Sequence, residues 1–206
     1  MNSVVSKDIE QVFFTEEDIN KKVVELGKQI SEDYKDKKPI LLGILKGSFI
    51  FLSDLSRKLT IDHTVEVKKQ KKRIEISSKL IFNEKKKKKF MSVSSYGNDT
   101  ISSGQVKVEL DMREEIENRD LIIVEDILDS GRTLNKLINL LSKRNPRSIE
   151  IVVLLRKPKN MKTKIETKYI GWDIEDHFVV GYGLDFAERY RQLPFIGVLK
   201  PHIYQN

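Results

Sequence analysis

Cysteine is absent from the 206 residues, which excludes disulfides, thiolate metal ligands and a thiol nucleophile and leaves packing to hold the chain together. No stretch approaches the ~18 consecutive apolar residues that a membrane-crossing helix needs. The first residues, Met1-Asn2-Ser3-Val4-Val5-Ser6-Lys7-Asp8, lack the apolar centre of a secretory leader. A cytoplasmic protein without a membrane partner is therefore expected. The three histidines, His63, His177 and His202, are scattered, and none is assigned a metal or catalytic role. A Walker phosphate loop is missing too, and no acidic run has the spacing of an EF-hand loop.

A hydrophobic content of 39% over this length suits one domain, residues 1–206, with a substantial core. The net charge of +7 is distributed very unevenly. Residues 68–89, KKQKKRIEISSKLIFNEKKKKK, hold 11 Lys and Arg against 2 Asp and Glu, a local charge of +9, while the remainder of the chain stands at −2. A general nucleic-acid-binding surface is thus not indicated, because the body of the protein is not basic.

Thr15 followed by Glu16, Glu17 and Asp18 signals a helix start, and Ile19, Val23, Leu26 and Ile30 then recur at helical spacing. Ile40 to Leu45 reads as a strand that breaks at Lys46-Gly47-Ser48 and leads into a helix over Phe49 to Leu59. Phe90 to Val93 and Gln105 to Leu110 read as strands around a polar lid, Ser94 to Gly104. Leu121 to Val124 is an apolar strand, Leu134 to Leu141 a helix and Ile149 to Leu155 another apolar strand. Such alternation predicts an α/β fold with a mostly parallel sheet covered on both faces, whose ligands sit beyond the carboxyl ends of the strands. Lys46-Gly47 and Glu125 to Thr133 both occupy that position.

The second segment carries the most chemistry. After Leu121-Ile122-Ile123-Val124 come Glu125-Asp126, then Ile127-Leu128, then Asp129-Ser130-Gly131-Arg132-Thr133 opening a helix. Ser130, Thr133 and the amides around Gly131 stand at a helix N-terminus, where unpaired N–H groups and the dipole favour a phosphate. Glu125 and Asp126 are hard oxygen donors and acceptors suited to ribose hydroxyls and to Mg²⁺. An ordinary acidic turn with Asp129 or Ser130 capping the helix is the plain structural alternative.

The segment Val124-Glu125-Asp126-Ile127-Leu128-Asp129-Ser130-Gly131-Arg132-Thr133 resembles the phosphoribosyl pyrophosphate (PRPP) motif of purine phosphoribosyltransferases of the hypoxanthine-guanine, bacterial type. In the same order, Leu45-Lys46-Gly47-Ser48 is similar to that family's pyrophosphate turn and Ser94-Ser95-Tyr96-Gly97 to its lid. Leu154 to Pro158 is similar to its purine-site strand end, and Phe178 to Asp185 with Tyr190-Arg191 to its base-binding hood. The resemblance implies a type I phosphoribosyltransferase fold, the hood formed by the N-terminal segment and about residues 160–206. It further implies transfer of phosphoribose from PRPP to hypoxanthine or guanine, releasing pyrophosphate, with Mg²⁺, two ions during turnover. Asp129 would be the general base, Glu125 and Asp126 would hold the ribose hydroxyls and one metal, and Asp185 a second. Ser130, Gly131, Arg132 and Thr133 would bind the 5′-phosphate, and Lys46, Gly47 and Arg191 the pyrophosphate. Lys157, Phe178, Val179 and Asp185 would bind the purine, while Ser95 and Tyr96 would close over it. A homodimer or homotetramer is the family habit.

Residues 68–89 depart from that family, in which a strand ending near Val65-Glu66-Val67 runs almost directly into the equivalent of Phe90. The stretch is read as a surface insertion, hairpin or disordered, with weak binding to a polyanion as the sharper alternative. Two other functions stay open on the sequence: a PRPP-sensing regulator that binds nucleic acid, and a transferase for xanthine or adenine.

Overall fold

The computed structural model describes residues 7–69 and 115–205, all within one unit of the chain. The expected lid, including Ser95 and Tyr96, its flanking strands, and residues 70–89 of the Lys-rich stretch lie outside the described residues.

The first strand, β1 (Ile9–Phe14), leads through Thr15 into α1 (Glu16–Asp33). Thr15 and Asp18 close a reciprocal capping box, with Asp18 N–H donating to Thr15 Oγ1 at 3.2 Å and Thr15 N–H donating to Asp18 Oδ2 at 3.0 Å. Two of the four amides that a helix leaves without partners are satisfied in this way. Ile19, Val23, Leu26 and Ile30 are all buried on one face, as their spacing predicts.

Then follow β2 (Ile40–Leu45), α2 (Phe49–Lys58) and β3 (Thr64–Lys69), and, in the later described residues, β4 (Asp120–Leu128), α3 (Arg132–Ser142) and β5 (Ser148–Arg156). After a 3-10 turn at Pro158–Asn160 come β6 (Tyr169–Asp173), β7 (Val179–Val180), β8 (Ile196–Leu199) and a short α4 (Pro201–Tyr204). The main sheet has the order β3-β2-β4-β5-β6, with every pairing parallel. A second sheet, β1-β8-β7, is antiparallel and forms the small hood that the sequence resemblance implies.

Because alternate residues of a strand point to opposite faces, β4 feeds two cores. Ile122 and Val124 pack with Leu41, Val152 and Leu154 under α1 and α2, whereas Leu121 and Ile123 pack with Leu42, Ile151 and Val153 under Leu134, Leu137 and Leu141 of α3. Full burial of such side chains contributes on the order of 1.5–3 kcal/mol each, so the uninterrupted apolar runs in the sequence are what a sheet covered on both faces demands.

Two boundaries differ from the sequence reading. Strand β3 continues through Lys68, which is buried, to Lys69, paired with Ile44 and Leu45, so two residues assigned to the insertion belong to the sheet. Strand β4 does not end at Val124 but continues to Leu128, with Glu125 facing Val153 and Ile127 facing Leu155 of β5. The acidic pair therefore lies within the strand, not after it. Ladder hydrogen bonds to β5 hold polar residues extended despite their low strand propensity.

Candidate active site

The pairing of β2 with β4 runs from Ile40 and Leu121 to Gly43 and Val124, and Glu125 to Leu128 then extend beyond it along β5 alone. At that point the β2 strand turns through Lys46-Gly47, with a cis peptide between Leu45 and Lys46. The turn approaches the acidic pair so closely that a Cβ on Gly47 would lie 1.6 Å from Asp126 Oδ2. Its far side meets the hood, for a Cβ on Gly183 would lie 2.1 Å from the Gly47 carbonyl oxygen. Three separated parts of the chain thus converge at the carboxyl end of the sheet.

The acidic pair is electrostatically unsatisfied. Burial, and then the charge of neighbouring Asp126, pushes Glu125 well above the usual carboxylate range. Burial also raises Asp126, to about 6, against the lowering effect of backbone N–H groups and Arg191. Glu125 Oε2 is buried without a hydrogen-bond partner. Carboxylates arranged in this way fit a hard cation or a hydroxyl-rich ligand. Among the described residues no cluster of three or more His, Cys, Asp or Glu could hold a metal ion, so Mg²⁺ bound here would draw its remaining oxygens from substrate and water.

Strand β4 is followed by Asp129 and Ser130 and then Gly131, which adopts φ 75° as the N-cap of α3. A side chain there would be strained in the left-handed region and would also press on Ile165 Cδ1 at 2.8 Å. No side chain caps α3, so neither Asp129 nor Ser130 serves as the cap. The first-turn amides, with Arg132 and Thr133 exposed beside them, are left available to an anion.

The hood contributes one cation and the turn after β2 the other. Arg191 Nη2 lies 2.8 Å from Asp185 Oδ1 and 3.7 Å from Glu188 Oε2, and its Nη1 donates to the Gly183 carbonyl at 2.7 Å. Lys46 reaches the same Glu188 carboxylate at 2.8 Å, so the two residues expected to bind pyrophosphate share one internal anion. Asp185 Oδ2 accepts from the Glu188 amide at 2.8 Å, which shapes a turn.

The residues expected at the purine lie alongside. Lys157 is 8% exposed, not the solvated surface lysine its basic neighbours suggest, and its Nζ lies 3.0 Å from Asp176 Oδ1. Val179 is buried in β7, and Phe178 packs edge-on to Phe186 and stacks on Tyr204 with centroids 4.7 Å apart. Asn160 donates to Asp129 Oδ1 at 2.9 Å. Sequence reasoning passed over Glu188, Asp176, Asn160 and Tyr204. No sequence signal pointed to them, because each is paired through the fold rather than by spacing.

The acidic strand end, the Gly-capped helix start and the cationic turn meet at one end of a parallel sheet, and the sequence model of the phosphoribosyl transferase domain matches residues 14–187, which makes the chain a phosphoribosyltransferase. The hypoxanthine-guanine phosphoribosyltransferase of Dictyostelium discoideum is 46% identical over 197 residues, 95% of this chain and 98% of that protein. That of Bacillus subtilis is 44% identical over 203 residues, 98% and 100% of the two chains. The crystal structure of a hypoxanthine phosphoribosyltransferase from Staphylococcus aureus superposes with a TM-score of 0.83 at 43% identity, covering 100% of both chains. The chain belongs to the hypoxanthine-guanine phosphoribosyltransferase family.

Proposed function

We propose that the protein is a purine salvage enzyme that transfers 5-phosphoribose from PRPP to N9 of hypoxanthine or guanine, forming IMP or GMP and pyrophosphate. The observation that carries this reading is the convergence of Gly47, Asp126 and Gly183, which brings anion-binding, acidic and hood segments to one place.

In this reading the first-turn amides of α3 with Ser130, Gly131, Arg132 and Thr133 hold the 5′-phosphate, and Glu125 and Asp126 the ribose hydroxyls. Lys46, the Gly47 backbone and Arg191 bind pyrophosphate once it displaces Glu188. Glu125 with Asp126, and Asp185, would each hold a Mg²⁺, and the two ions would neutralise the leaving group. Asp129 accepts the purine N7 proton, and its charge also favours the cationic ribose as the C1–O bond breaks. Lys157 donates to O6. Adenine would leave this lysine facing another donor, a cost that selects 6-oxopurines. Phe178 stacks on the ring and the Val179 main chain hydrogen-bonds it.

Turnover of hypoxanthine, guanine, xanthine and adenine with PRPP and Mg²⁺ tests the function; formation of no 6-oxopurine nucleotide refutes it. Asp129→Asn should lower kcat with little change in PRPP affinity, whereas Asp126→Asn should weaken Mg²⁺-PRPP binding.

The reading includes a cytoplasmic homodimer or homotetramer. Phe49, Val65 and Val67, which are 45%, 46% and 55% exposed, supply apolar surface for self-association, and light scattering in solution tests it. No helix among the described residues is long and apolar enough to cross a membrane. With Lys68 in the sheet, the weak polyanion site narrows to residues 70–89. Its test is retention on heparin before and after their deletion.

A further inference from the structure

Asn160, in the 3-10 turn after β5, touches both sides of the proposed purine site. Its Nδ2 donates to Asp129 Oδ1 at 2.9 Å, and its backbone N–H donates to the Lys157 carbonyl at 3.1 Å. Asp176 receives Lys157 Nζ at 3.0 Å. Asn160 thus holds Asp129 through its side chain and the Lys157 segment through its main chain.

A 6-oxopurine presents two adjacent groups on one edge, the N7–H donor and the O6 acceptor. The two residues that Asn160 links are complementary to that edge, a carboxylate at Asp129 and an ammonium at Lys157. A primary amide donates N–H without adding charge, so it can hold one oxygen of Asp129 and leave the carboxylate its own charge. Asp129 is exposed, so without a partner its carboxylate would sample several rotamers. The bond from Asn160 occupies one oxygen and leaves the other for N7–H.

We propose that Asn160 is a positioning residue that sets the spacing between the N7-proton acceptor and the O6 donor, and so favours 6-oxopurines at the chemical step. This rests on the reading of Asp129 and Lys157 given above. The turn itself does not depend on the Asn160 side chain. The backbone bond from Asn160 N–H to the Lys157 carbonyl, 3.1 Å, and the Lys159–Glu175 ion pair, 3.1 Å, also hold it.

The test uses the full chain with Asn160→Ala, Asn160→Ser and Asn160→Asp, assayed with PRPP, Mg²⁺ and hypoxanthine and melted in parallel. Asn160→Ala and Asn160→Ser should keep the melting temperature and the KM for PRPP while kcat/KM for hypoxanthine falls about tenfold, about 1.4 kcal/mol of transition-state stabilisation. Asn160→Asp should fall further, because it sets a second carboxylate against Asp129. The decisive readout is inhibition by 7-deazahypoxanthine, which has O6 but no N7–H. Asn160→Ala should weaken hypoxanthine and leave the deaza compound nearly unchanged. Equal weakening of both compounds, or unaltered hypoxanthine kinetics in folded Asn160→Ala and Asn160→Ser proteins, overturns the proposal. If the unaltered protein turns over no 6-oxopurine, the underlying reading fails instead, a result distinct from either.

Discussion

Gly47 and Asp126, 79 positions apart, lie so close that a single methyl group cannot be placed between them: a Cβ on Gly47 would stand 1.6 Å from Asp126 Oδ2. Gly47→Ala should therefore displace the carboxylate or the Lys46 turn. The KM for PRPP should rise by at least about tenfold while the melting temperature changes little, since the clash falls at the site rather than in either core. Steady-state kinetics with PRPP varied checks this.

The acidic pair should make the ligand-free protein sensitive to pH. Asp126 is pushed up to about 6 and Glu125 well above its usual range, so both hold protons more tightly folded than unfolded. Their contribution to stability is present at low pH and is lost as pH rises through the folded value of Asp126. Melts from pH 5 to pH 7.5 should show it, and Asp126→Asn should flatten the slope and raise the melting temperature at pH 7.5 by a few degrees while lowering activity. Identical slopes in the two proteins would refute the assignment.

Glu188 accepts Lys46 at 2.8 Å and Arg191 at 3.7 Å, which makes it an internal competitor for an incoming anion. Glu188→Gln should strengthen product inhibition by pyrophosphate severalfold, with larger gains at low salt because these groups are partly exposed. A weaker inhibition would mean that Glu188 orients the cations rather than competing for them.

Tyr204 stacks on Phe178, the ring proposed to receive the purine. Tyr204→Ala should loosen that ring and raise the KM for hypoxanthine by a few-fold, in keeping with ~0.5–1.5 kcal/mol for an aromatic pair, while the KM for PRPP stays constant. Varying each substrate in turn distinguishes the two.

Local order along the chain was enough to read the central architecture. The capping box at Thr15, the helical spacing from Ile19 to Ile30 and the uninterrupted apolar runs Ile40–Leu45 and Leu121–Val124 each report a short-range or burial constraint, and each appears in the structure where the pattern puts it. That Asp129 to Thr133 opens a helix was legible for the same reason, whereas its cap at Gly131 was not. The hood was harder. Strands β7 and β8 have only 2 and 4 residues, too few for a period to register, and β1, the partner of β8, lies more than 180 residues from it in sequence.

The sequence by itself therefore determined the α/β class, the acidic and Gly-rich segments and their order, because propensity, periodicity and capping act within a turn or two of chain. Tertiary structure alone decided which charges meet. It buried Lys157 against Asp176, drew Lys46 and Arg191 onto Glu188 and set Asn160 against Asp129. Each pairing depends on where two distant segments are carried by the packing of the sheet and hood, and side-chain charge at short range has no signature in residue spacing.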